Sequence, residues 1–245
     1  MSVERNENGF ADRLEGYLQK ADYRLAVTEA DKLDIYKLRY KSYFTESAIE
    51  PSATREFRDA YDDLENCWTF GVYIDDVLVS SVRFHVLTAD TPYGPASDFF
   101  PDIVRPMLDD GMVLIDPTRF VSDPAVRHVY RELPYVTVRV PAMAYEHFNA
   151  DFSLASVRRE HQAFYKRLFN AETLTEPRPY PPLTVRLALM RLRLDQSREK
   201  LLNRYPIFSS SLTERRLMFQ TPTTAQELGN TTNDSRSQAS TRLVS

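Results

Sequence analysis

A proline stands inside a segment that otherwise has the pattern of a β-strand, and this limits how the surrounding sheet can be built. Residues 115–120 read IDPTRF, with Asp116 and Arg119 on either side of Pro117. Because proline has no N–H to donate, such a strand must lie at a sheet edge, contain a bulge or border a split in the sheet. A regular strand directs Asp116 and Arg119 to opposite faces, so only a local bulge would turn both toward one cleft. An ion pair on an edge strand is the alternative.

The pattern of apolar residues predicts the elements around this segment. Residues 68–74 and 77–87 are rich in β-branched and aromatic side chains and are separated only by Asp75 and Asp76, which predicts a hairpin. Residues 133–149 are ambiguous, but Pro134 suits the first turn of a helix, so a helix kinked at Pro141 is favoured. The other predictions are strands at 23–28, 112–121, 152–157 and 183–194, helices at 33–44 and 160–169, and a proline-containing loop at 92–101. Together they predict an α+β domain with a mainly antiparallel sheet.

The length of the chain is compatible with a single domain. At 245 residues, of which 42% are hydrophobic, it can bury one sizeable core. Residues 1–20 are polar and predict a peripheral arm, residues 21–208 form the predicted domain, and residues 209–245 are expected to be a polar tail. From Thr221 onward the tail is rich in Ser, Thr, Asn and Gln, so it cannot offset the entropy of its own ordering and is expected to be disordered.

Several classes of function are disfavoured. The net charge of −4, from 31 basic and 35 acidic residues, argues against nucleic acid as a partner. The single Cys67 excludes an internal disulfide, and no signal peptide or long apolar run is visible, so we expect a cytoplasmic protein without a transmembrane segment. The four histidines show no ligand spacing, so no metal site is expected. GxGxxG, Walker A and GxSxG motifs do not occur, which disfavours a Rossmann dinucleotide site, a P-loop and a hydrolase elbow.

Residues 56–63, EFRDAYDD, carry four carboxylates among eight residues. A solvated acidic turn is the usual explanation, but two aromatic residues four apart could anchor the segment and aim Asp59 and Asp62 together. Arg39 lies in the apolar face of the early helix and Arg83 inside the strand SSVRFHV. Because a buried arginine needs an anion, these carboxylates are plausible partners. Both a structural salt-bridge cluster and a site for a substrate carboxylate remain open.

The helix predicted at residues 160–169, EHQAFYKRLF, carries Tyr165. A phenol at this position could protonate a leaving thiolate. The alternative is an ordinary core aromatic, because Phe164 and Phe169 are close in sequence. Sequence alone leaves both interpretations open.

Five motifs then occur in the order in which the autoinducer synthases carry them. Arg39 is followed four residues later by Tyr43, and EFRDAYD is similar to the family's E-F-D-x-Y-D element with one extra residue. Arg83 lies in SVRFHVLT as in the family's arginine strand, and IDPTRF is similar to its W-E-x-S-R-F strand, with Asp116 for Glu. The family's P-Y and F-P loop pairs match Pro92, Tyr93, Phe100 and Pro101. From about Tyr23 to Leu194 the chain therefore resembles the autoinducer synthase branch of the GNAT-like acyltransferases, and most closely the N-acyl amino acid synthases related to it.

The resemblance implies a fold and an activity. The fold would be the GNAT-like acyl-CoA N-acyltransferase fold, α+β, with a mixed, mainly antiparallel twisted sheet flanked by helices. The activity would be transfer of a long-chain fatty acyl group to the amine of an amino acid, giving an N-acyl amino acid. An acyl-homoserine lactone (autoinducer) synthase and a catalytically silent GNAT-like binding module are the alternatives. Ile49 stands where autoinducer synthases usually have a tryptophan of the S-adenosylmethionine pocket, which counts against the lactone synthase.

The resemblance also bears on the acyl donor. The GNAT pyrophosphate loop, Q/R-x-x-G-x-G/A, should follow the IDPTRF strand, but residues 121–134 contain no glycine. This departure favours acyl-phosphopantetheine on an acyl carrier protein over acyl-CoA, as a donor substrate rather than a bound cofactor. Arg127, His128 and Arg131 could meet an acidic carrier.

Roles for individual residues follow from the resemblance. Asp116 would accept a proton from the amine, directly or through a water, and backbone N–H groups near Pro117 would stabilise the tetrahedral oxyanion. Arg119 would orient Asp116 or the carboxylate of the acceptor. Tyr165 would protonate the leaving thiolate, as in the GNAT A-x-x-F-Y-x-x-x-G-F signature, whose glycine is Leu168 here. The other predicted substrate-binding residues are Arg39, Tyr43, Asp59, Asp62, Arg83 and Phe120.

Overall fold

The computed structural model describes residues 2–220, so the part of the predicted tail from 221 to 245 lies outside the described residues. The helices are α1 (Ser2–Leu18), α2 (Glu29–Thr45), α3 (Pro95–Phe99), α4 (Pro101–Asp109), α5 (Leu133–His147), α6 (Gln162–Phe169), α7 (Leu194–Arg204) and α8 (Leu212–Met218). The strands are β1 (Ala21–Leu25), β2 (Cys67–Ile74), β3 (Val77–Leu87), β4 (Leu114–Ser122), β5 (Phe152–Val157), β6 (Glu172–Thr173), β7 (Arg178–Pro179) and β8 (Arg186–Leu192). Short 3₁₀ helices span Ala60–Asp63, Arg159–His161 and Pro206–Phe208.

The chain divides into two compact units, residues 1–209 and residues 210–245. The first unit contains the whole sheet and helices α1 to α7. In the second unit, α8 follows Ser211, whose hydroxyl accepts a hydrogen bond from the backbone N–H of Glu214. This is a typical helix N-cap.

Neighbouring strands of the sheet follow the order β1-β2-β3-β4-β5-β8-β6, and β7 pairs with β8. Every pair is antiparallel except β4 with β5, which run parallel. The predicted fold class is confirmed: a mixed, mainly antiparallel sheet is flanked by helices, as in GNAT-like acyltransferases. The hairpin predicted at 68–74 and 77–87 is formed by β2 and β3.

Side chains of β3 alternate between two helical layers. The Ser80 hydroxyl accepts a hydrogen bond from Thr137 of α5 at 2.8 Å. Arg83, an odd number of residues further along, faces the other side and meets carboxylates of the segment 56–63. Thr28 caps the N-terminus of α2 and forms a capping box with Asp31, and α2 buries Arg39 on its inner face. One face of β3 therefore contacts a hydroxyl of α5, and the other face contacts carboxylates.

The prediction of a loop at residues 92–101 was wrong for its second half. There, Pro95 begins the short helix α3 and Pro101 begins the short helix α4. Pro95 and Pro101 occupy the first turn of these helices, where a missing N–H has no cost. An apolar cluster then packs the two helices on the sheet, with Phe100, Val104 and Leu108 fully or almost fully buried. These prolines mark the starts of helices. Without the tertiary contacts, prolines at helix starts cannot be distinguished from prolines in a loop.

The ends of some elements also differ from prediction. The strand predicted to reach residue 194 ends at Leu192, because Leu194 begins α7. The helix predicted at 133–149 is confirmed as α5, with Pro134 in its first turn. No helix within residues 2–220 is long and apolar enough to cross a membrane. In the same part of the chain, no group of three or more His, Cys, Asp or Glu side chains could hold a metal ion.

Candidate active site

Strand β4 carries a bulge immediately after its proline. Arg119 and Phe120 together oppose a single residue of β3, Val82. Arg119 has a φ of 52°, in the left-handed region that L-residues rarely adopt. The bulge re-aims the Arg119 side chain, so that its charge acts on the carboxyl of Asp116.

The sheet also splits beside the bulge. β4 pairs with β5 only through Leu114 and Ile115, the two residues before Asp116. Beyond them lies a cavity that is partly open to solvent. Its walls include residues 117–120 of β4 and 153–157 of β5. The proline-containing strand therefore combines two of the three predicted possibilities, a bulge and a split.

Five charged side chains form one buried network, called here the arginine cluster: Arg39, Asp59, Asp62, Arg83 and Arg119. Arg39 binds Asp62 at 2.7 Å, and Arg83 bridges Asp62 at 2.9 Å and Asp59 at 2.5 Å. Arg119 binds Asp59 through Nε at 3.0 Å and Nη2 at 2.5 Å. The predicted pairing of the two arginines with these two carboxylates is confirmed.

Hydrogen bonds to the backbone of the acidic segment 56–63 hold the side chains of Asp59 and Asp62 in place. Asp59 caps the 3₁₀ helix Ala60–Asp63, and the Asp62 carboxylate accepts a hydrogen bond from the backbone N–H of Asp59. The solvated-turn alternative is wrong for these two residues, whose side chains are almost fully buried, while Asp63 stays exposed. Burial alone would raise the pKa of Asp59, but the Arg83 and Arg119 guanidiniums hold it well below its usual range. Both carboxylates are thus charged at neutral pH.

The charges within the arginine cluster do not cancel. Three guanidinium groups face two carboxylates, which leaves one positive charge in excess. Nε and Nη2 of Arg39 are buried and have no hydrogen-bond partner among residues 2–220. A buried, incompletely paired guanidinium favours the approach of an anion.

Asp116 occupies a very different environment. It is 0% exposed, and its Oδ2 accepts a hydrogen bond from the backbone N–H of Ala96 in α3 at 2.9 Å. Oδ1 is buried and has no partner within the described part of the chain. Burial raises the pKa of Asp116 to about 7, against the smaller lowering effects of the Ala96 N–H, Arg83 and Arg119. This carboxyl can therefore exchange a proton near neutral pH.

His85 lies directly opposite Asp116 on β3. Burial, followed by the charge of Arg83, lowers the pKa of His85 to about 4, so the imidazole is neutral at pH 7. Its Nε2 lies 2.9 Å from the carbonyl oxygen of Tyr61. His85 was not among the predicted site residues, since a lone histidine in a strand gives no signal of what will pack against it.

Other predicted residues meet at the cavity. Tyr43, Arg119, Phe120 and Tyr165 all line it. Burial raises the pKa of Tyr165 to about 12, which keeps the proton on the phenol at neutral pH. The structure thus brings the phenol into the same cavity as the bulged strand, as a proton donor to a leaving thiolate requires.

The predicted carrier-binding residues lie at a neighbouring opening. Arg127 and Arg131 line a second cavity, partly open to solvent, which shares Phe120 and Tyr165 with the first. Arg127 also pairs with Glu46 at 3.4 Å. His128 is exposed and is not among the residues that line either cavity.

Tyr180 is a site residue that the sequence did not reveal. It lines the cavity between β4 and β5 and is only 2% exposed. It lies in RPYPPL, between β7 and β8, where neither periodicity nor a motif distinguishes it. Its position depends on the packing of that segment against α3, which only the tertiary structure provides.

A bulged strand, a parallel pair that splits and a cavity in the split define a GNAT-like acyltransferase. The chain belongs to the family of the N-acyl amino acid synthase FeeM, whose sequence model matches residues 34–193. No curated protein matches the chain by sequence. The predicted family and the predicted enzyme class, an acyltransferase, are both confirmed.

Solved structures agree on the fold. FeeM, an N-acyl amino acid synthase from uncultured soil microbes, superposes with a TM-score of 0.61 at 14% identity, over 75% of this chain and 96% of FeeM. BjaI, a CoA-dependent acyl-homoserine lactone synthase, gives a TM-score of 0.55 at 15% identity, over 79% of this chain and 91% of BjaI. The lactone synthase LasI gives 0.54 at 14% identity, over 71% of this chain and 90% of LasI. The family supports an N-acyltransferase that uses an acyl donor and an amine acceptor.

Proposed function

We propose that the protein transfers a long-chain fatty acyl group from an acyl carrier protein to the amine of an amino acid, giving an N-acyl amino acid. One observation carries the proposal. The bulge in β4 joins a buried carboxyl with a pKa of about 7 to an arginine cluster with excess positive charge, beside the cavity of the split sheet. A base and an anion site are the two features that an amino acid acceptor needs.

The charge of the arginine cluster supports an acceptor with a carboxylate. Arg119 belongs to the cluster and also lines the cavity, so it can touch a bound substrate. The carboxylate of an amino acid would balance the excess positive charge. A cationic acceptor such as a sulfonium would add to it, and like charges at close range in a buried site repel.

Asp116 supports attack by the amine. An amino acid amine is protonated at neutral pH and must lose a proton before it attacks the thioester carbon. A general base works best when its pKa lies near the working pH, and the pKa of Asp116 is about 7. One proton of the ammonium group moves to Asp116, the C–N bond forms, and backbone N–H groups freed at the bulge stabilise the oxyanion. The nitrogen loses its second proton to solvent before the amide forms.

Tyr165 supports departure of the thiolate. When the tetrahedral intermediate collapses, the C–S bond breaks and the pantetheine sulfur takes the electron pair. The Tyr165 phenol lines the cavity and retains its proton at neutral pH, so it can donate that proton to the sulfur. Solvent then reprotonates the phenolate, while Asp116 returns its proton to solvent.

The donor is proposed from the segment after β4. Residues 121–134 contain no glycine and therefore no GNAT pyrophosphate loop. Arg127 and Arg131 line the second cavity, and both residues and His128 are exposed to an approaching partner. An acidic acyl carrier protein fits this basic surface, with its pantetheine arm passing toward Tyr165, and it implies a cytoplasmic reaction.

The experiment is a donor and acceptor screen with the purified full-length protein. Long-chain acyl carrier protein and the matching acyl-CoA are each incubated with the twenty amino acids, and the products are identified by mass spectrometry. We expect a carboxylated acyl amide, formed faster from the carrier protein.

Other products would decide against the proposal. A neutral lactone formed from S-adenosylmethionine would instead identify an acyl-homoserine lactone synthase. Binding of the acyl carrier protein without transfer to any amino acid would identify a silent binding module. A higher kcat/KM with acyl-CoA than with the acyl carrier protein would identify acyl-CoA as the donor and leave the proposed acceptor unchanged.

A further inference from the structure

The general base proposed above has no direct access to the cavity. Asp116 is 0% exposed and is not among the described residues that line the cavity, whose adjacent wall is formed by Pro117, Thr118 and Arg119. Its one oxygen without a partner, Oδ1, is also buried. A proton from a bound amine therefore has to cross an intermediate group to reach this carboxyl.

Tyr180 has the properties of such a group. It lines the cavity, and its hydroxyl is buried. The hydrogen-bonding neighbour of this hydroxyl is the buried hydroxyl of Ser156 in β5, which lines the same cavity. Because a hydroxyl can both donate and accept, the Tyr180 hydroxyl has hydrogen-bonding capacity left for a ligand in the cavity.

Helix α3 contacts both Tyr180 and Asp116. The N–H of Ala96 binds Oδ2 of Asp116, which leaves Oδ1 as the free oxygen. One turn later, the Phe99 ring packs on the Tyr180 ring with centroids 4.2 Å apart. Burial raises the pKa of Tyr180, and the charge of Asp116 raises it further, so the two groups interact electrostatically.

We infer that Tyr180 is a catalytic residue that relays the proton of the acceptor amine from the cavity to Oδ1 of Asp116. The inference rests on the proposed amine acylation. Before the C–N bond forms, an N–H of the ammonium group gives its proton to the Tyr180 oxygen while the phenol O–H gives its proton to Oδ1. The nitrogen loses its second proton to solvent after the attack. Tyr180 ends as a neutral phenol and Asp116 as a neutral carboxylic acid.

The relay avoids a free phenolate, which the raised pKa of Tyr180 would make unfavourable. The Tyr180 and Asp116 side chains do not hydrogen bond to each other. The relay therefore closes only when an acceptor occupies the cavity, as is common for catalytic hydrogen bonds.

The test compares Tyr180→Phe, Asp116→Asn and the double variant in the acyl transfer assay with long-chain acyl carrier protein. We expect each single variant to lower kcat by about 10²-fold. The double variant should be no more than about 3-fold slower than the slower single variant, because residues that act as a unit are not additive. Tyr180→Phe should also remove the fall in kcat/KM below pH 7 that protonation of Asp116 causes in the wild type.

Tyr145→Phe is the matched control. Tyr145 is also a buried tyrosine, but its hydroxyl bonds to Asp151 and Asp195 and it does not line the cavity, so kcat should stay within about 2-fold. Thermal unfolding of all variants reports whether the fold is retained.

Three results would overturn the relay while the proposed function stands. The first is a wild-type kcat in Tyr180→Phe. The second is a loss of kcat in the double variant equal to the product of the two single losses. The third is a Tyr180→Phe variant that is slower but whose kcat/KM still falls below pH 7 as in the wild type. If the wild type forms no acyl amide with any amino acid, the proposed function fails first and the relay falls with it.

Discussion

Asp59 in the arginine cluster and Asp116 beside it are both carboxyl groups in buried surroundings, yet their pKa values move in opposite directions. Burial raises both, but Asp59 receives hydrogen bonds from two guanidinium groups, whereas Asp116 receives one from a backbone N–H. The difference shows that paired charge, and not burial alone, decides whether a buried acid stays ionised. Asp59 is thereby suited to hold charge in place and Asp116 to exchange a proton.

The largest effect is expected when Asp59, the carboxylate that binds two arginines of the arginine cluster, is replaced. Asp59→Asn leaves Arg83 and Arg119 buried without their carboxylate, which should lower the free energy of unfolding by about 3–5 kcal/mol. Urea denaturation measures this change. The control is Asp63→Asn in the same segment, which is exposed and should change stability by less than about 0.5 kcal/mol. Equal losses in both variants would remove the distinction between paired and solvated carboxylates.

The reverse pattern is expected at Asp116. Asp116→Asn keeps the size of the side chain and can still accept the Ala96 N–H, so the melting temperature should be retained. The acyl transfer kcat should fall by about 10²-fold or more, as is typical when a general base is lost. Stopped assays of product formation and a thermal melt give both values. Unchanged turnover would exclude Asp116 as the base.

The two regions should also give opposite dependences of stability on pH. The lowered pKa values of Asp59 and Asp62 stabilise the protein above their unfolded pKa of about 3.9, and this stability is lost as the pH falls through their folded pKa values. The raised pKa of Asp116 contributes stability that is complete below about pH 3.9 and lost as the pH rises to about 7.

Urea unfolding of wild type and Asp116→Asn between pH 5 and pH 7 separates these contributions. The wild type should lose up to about 1.4 kcal/mol per pH unit relative to the variant, since one proton is involved. Parallel curves for the two proteins would mean that Asp116 is ionised throughout this range.

The smallest effect is expected for charge in solvent. Arg131→Ala should raise KM for acyl carrier protein by about 5-fold, the size of an exposed charge interaction of about 1 kcal/mol, with kcat unchanged. High salt should abolish the difference, because exposed charges are screened. Arg105→Ala is the matched control, an exposed arginine of α4 that lines neither cavity. A loss in Arg131→Ala that salt does not change would argue against carrier binding at this surface.

Local patterns predicted much of the fold correctly. The β2–β3 hairpin, α5 and β5 were found because apolar periodicity and short turns are properties of neighbouring residues. The helices α3 and α4 were missed because their prolines have the same local pattern as a loop, and their stability comes from packing on the sheet. The pairing of Arg39 and Arg83 with Asp59 and Asp62 was predicted because a charged side chain inside an apolar pattern needs a partner of opposite charge.

Pro117 was enough to predict that the strand at 115–120 is not regular, since it has no N–H to donate. The ordered motifs were likewise enough to predict the family to which the chain belongs. The burial of Asp116, its pKa of about 7 and the contact of both Asp116 and Tyr180 with α3 became visible in the folded protein alone. Desolvation and proximity depend on residues far apart in the chain, here brought together by α3 and the split of β4 from β5.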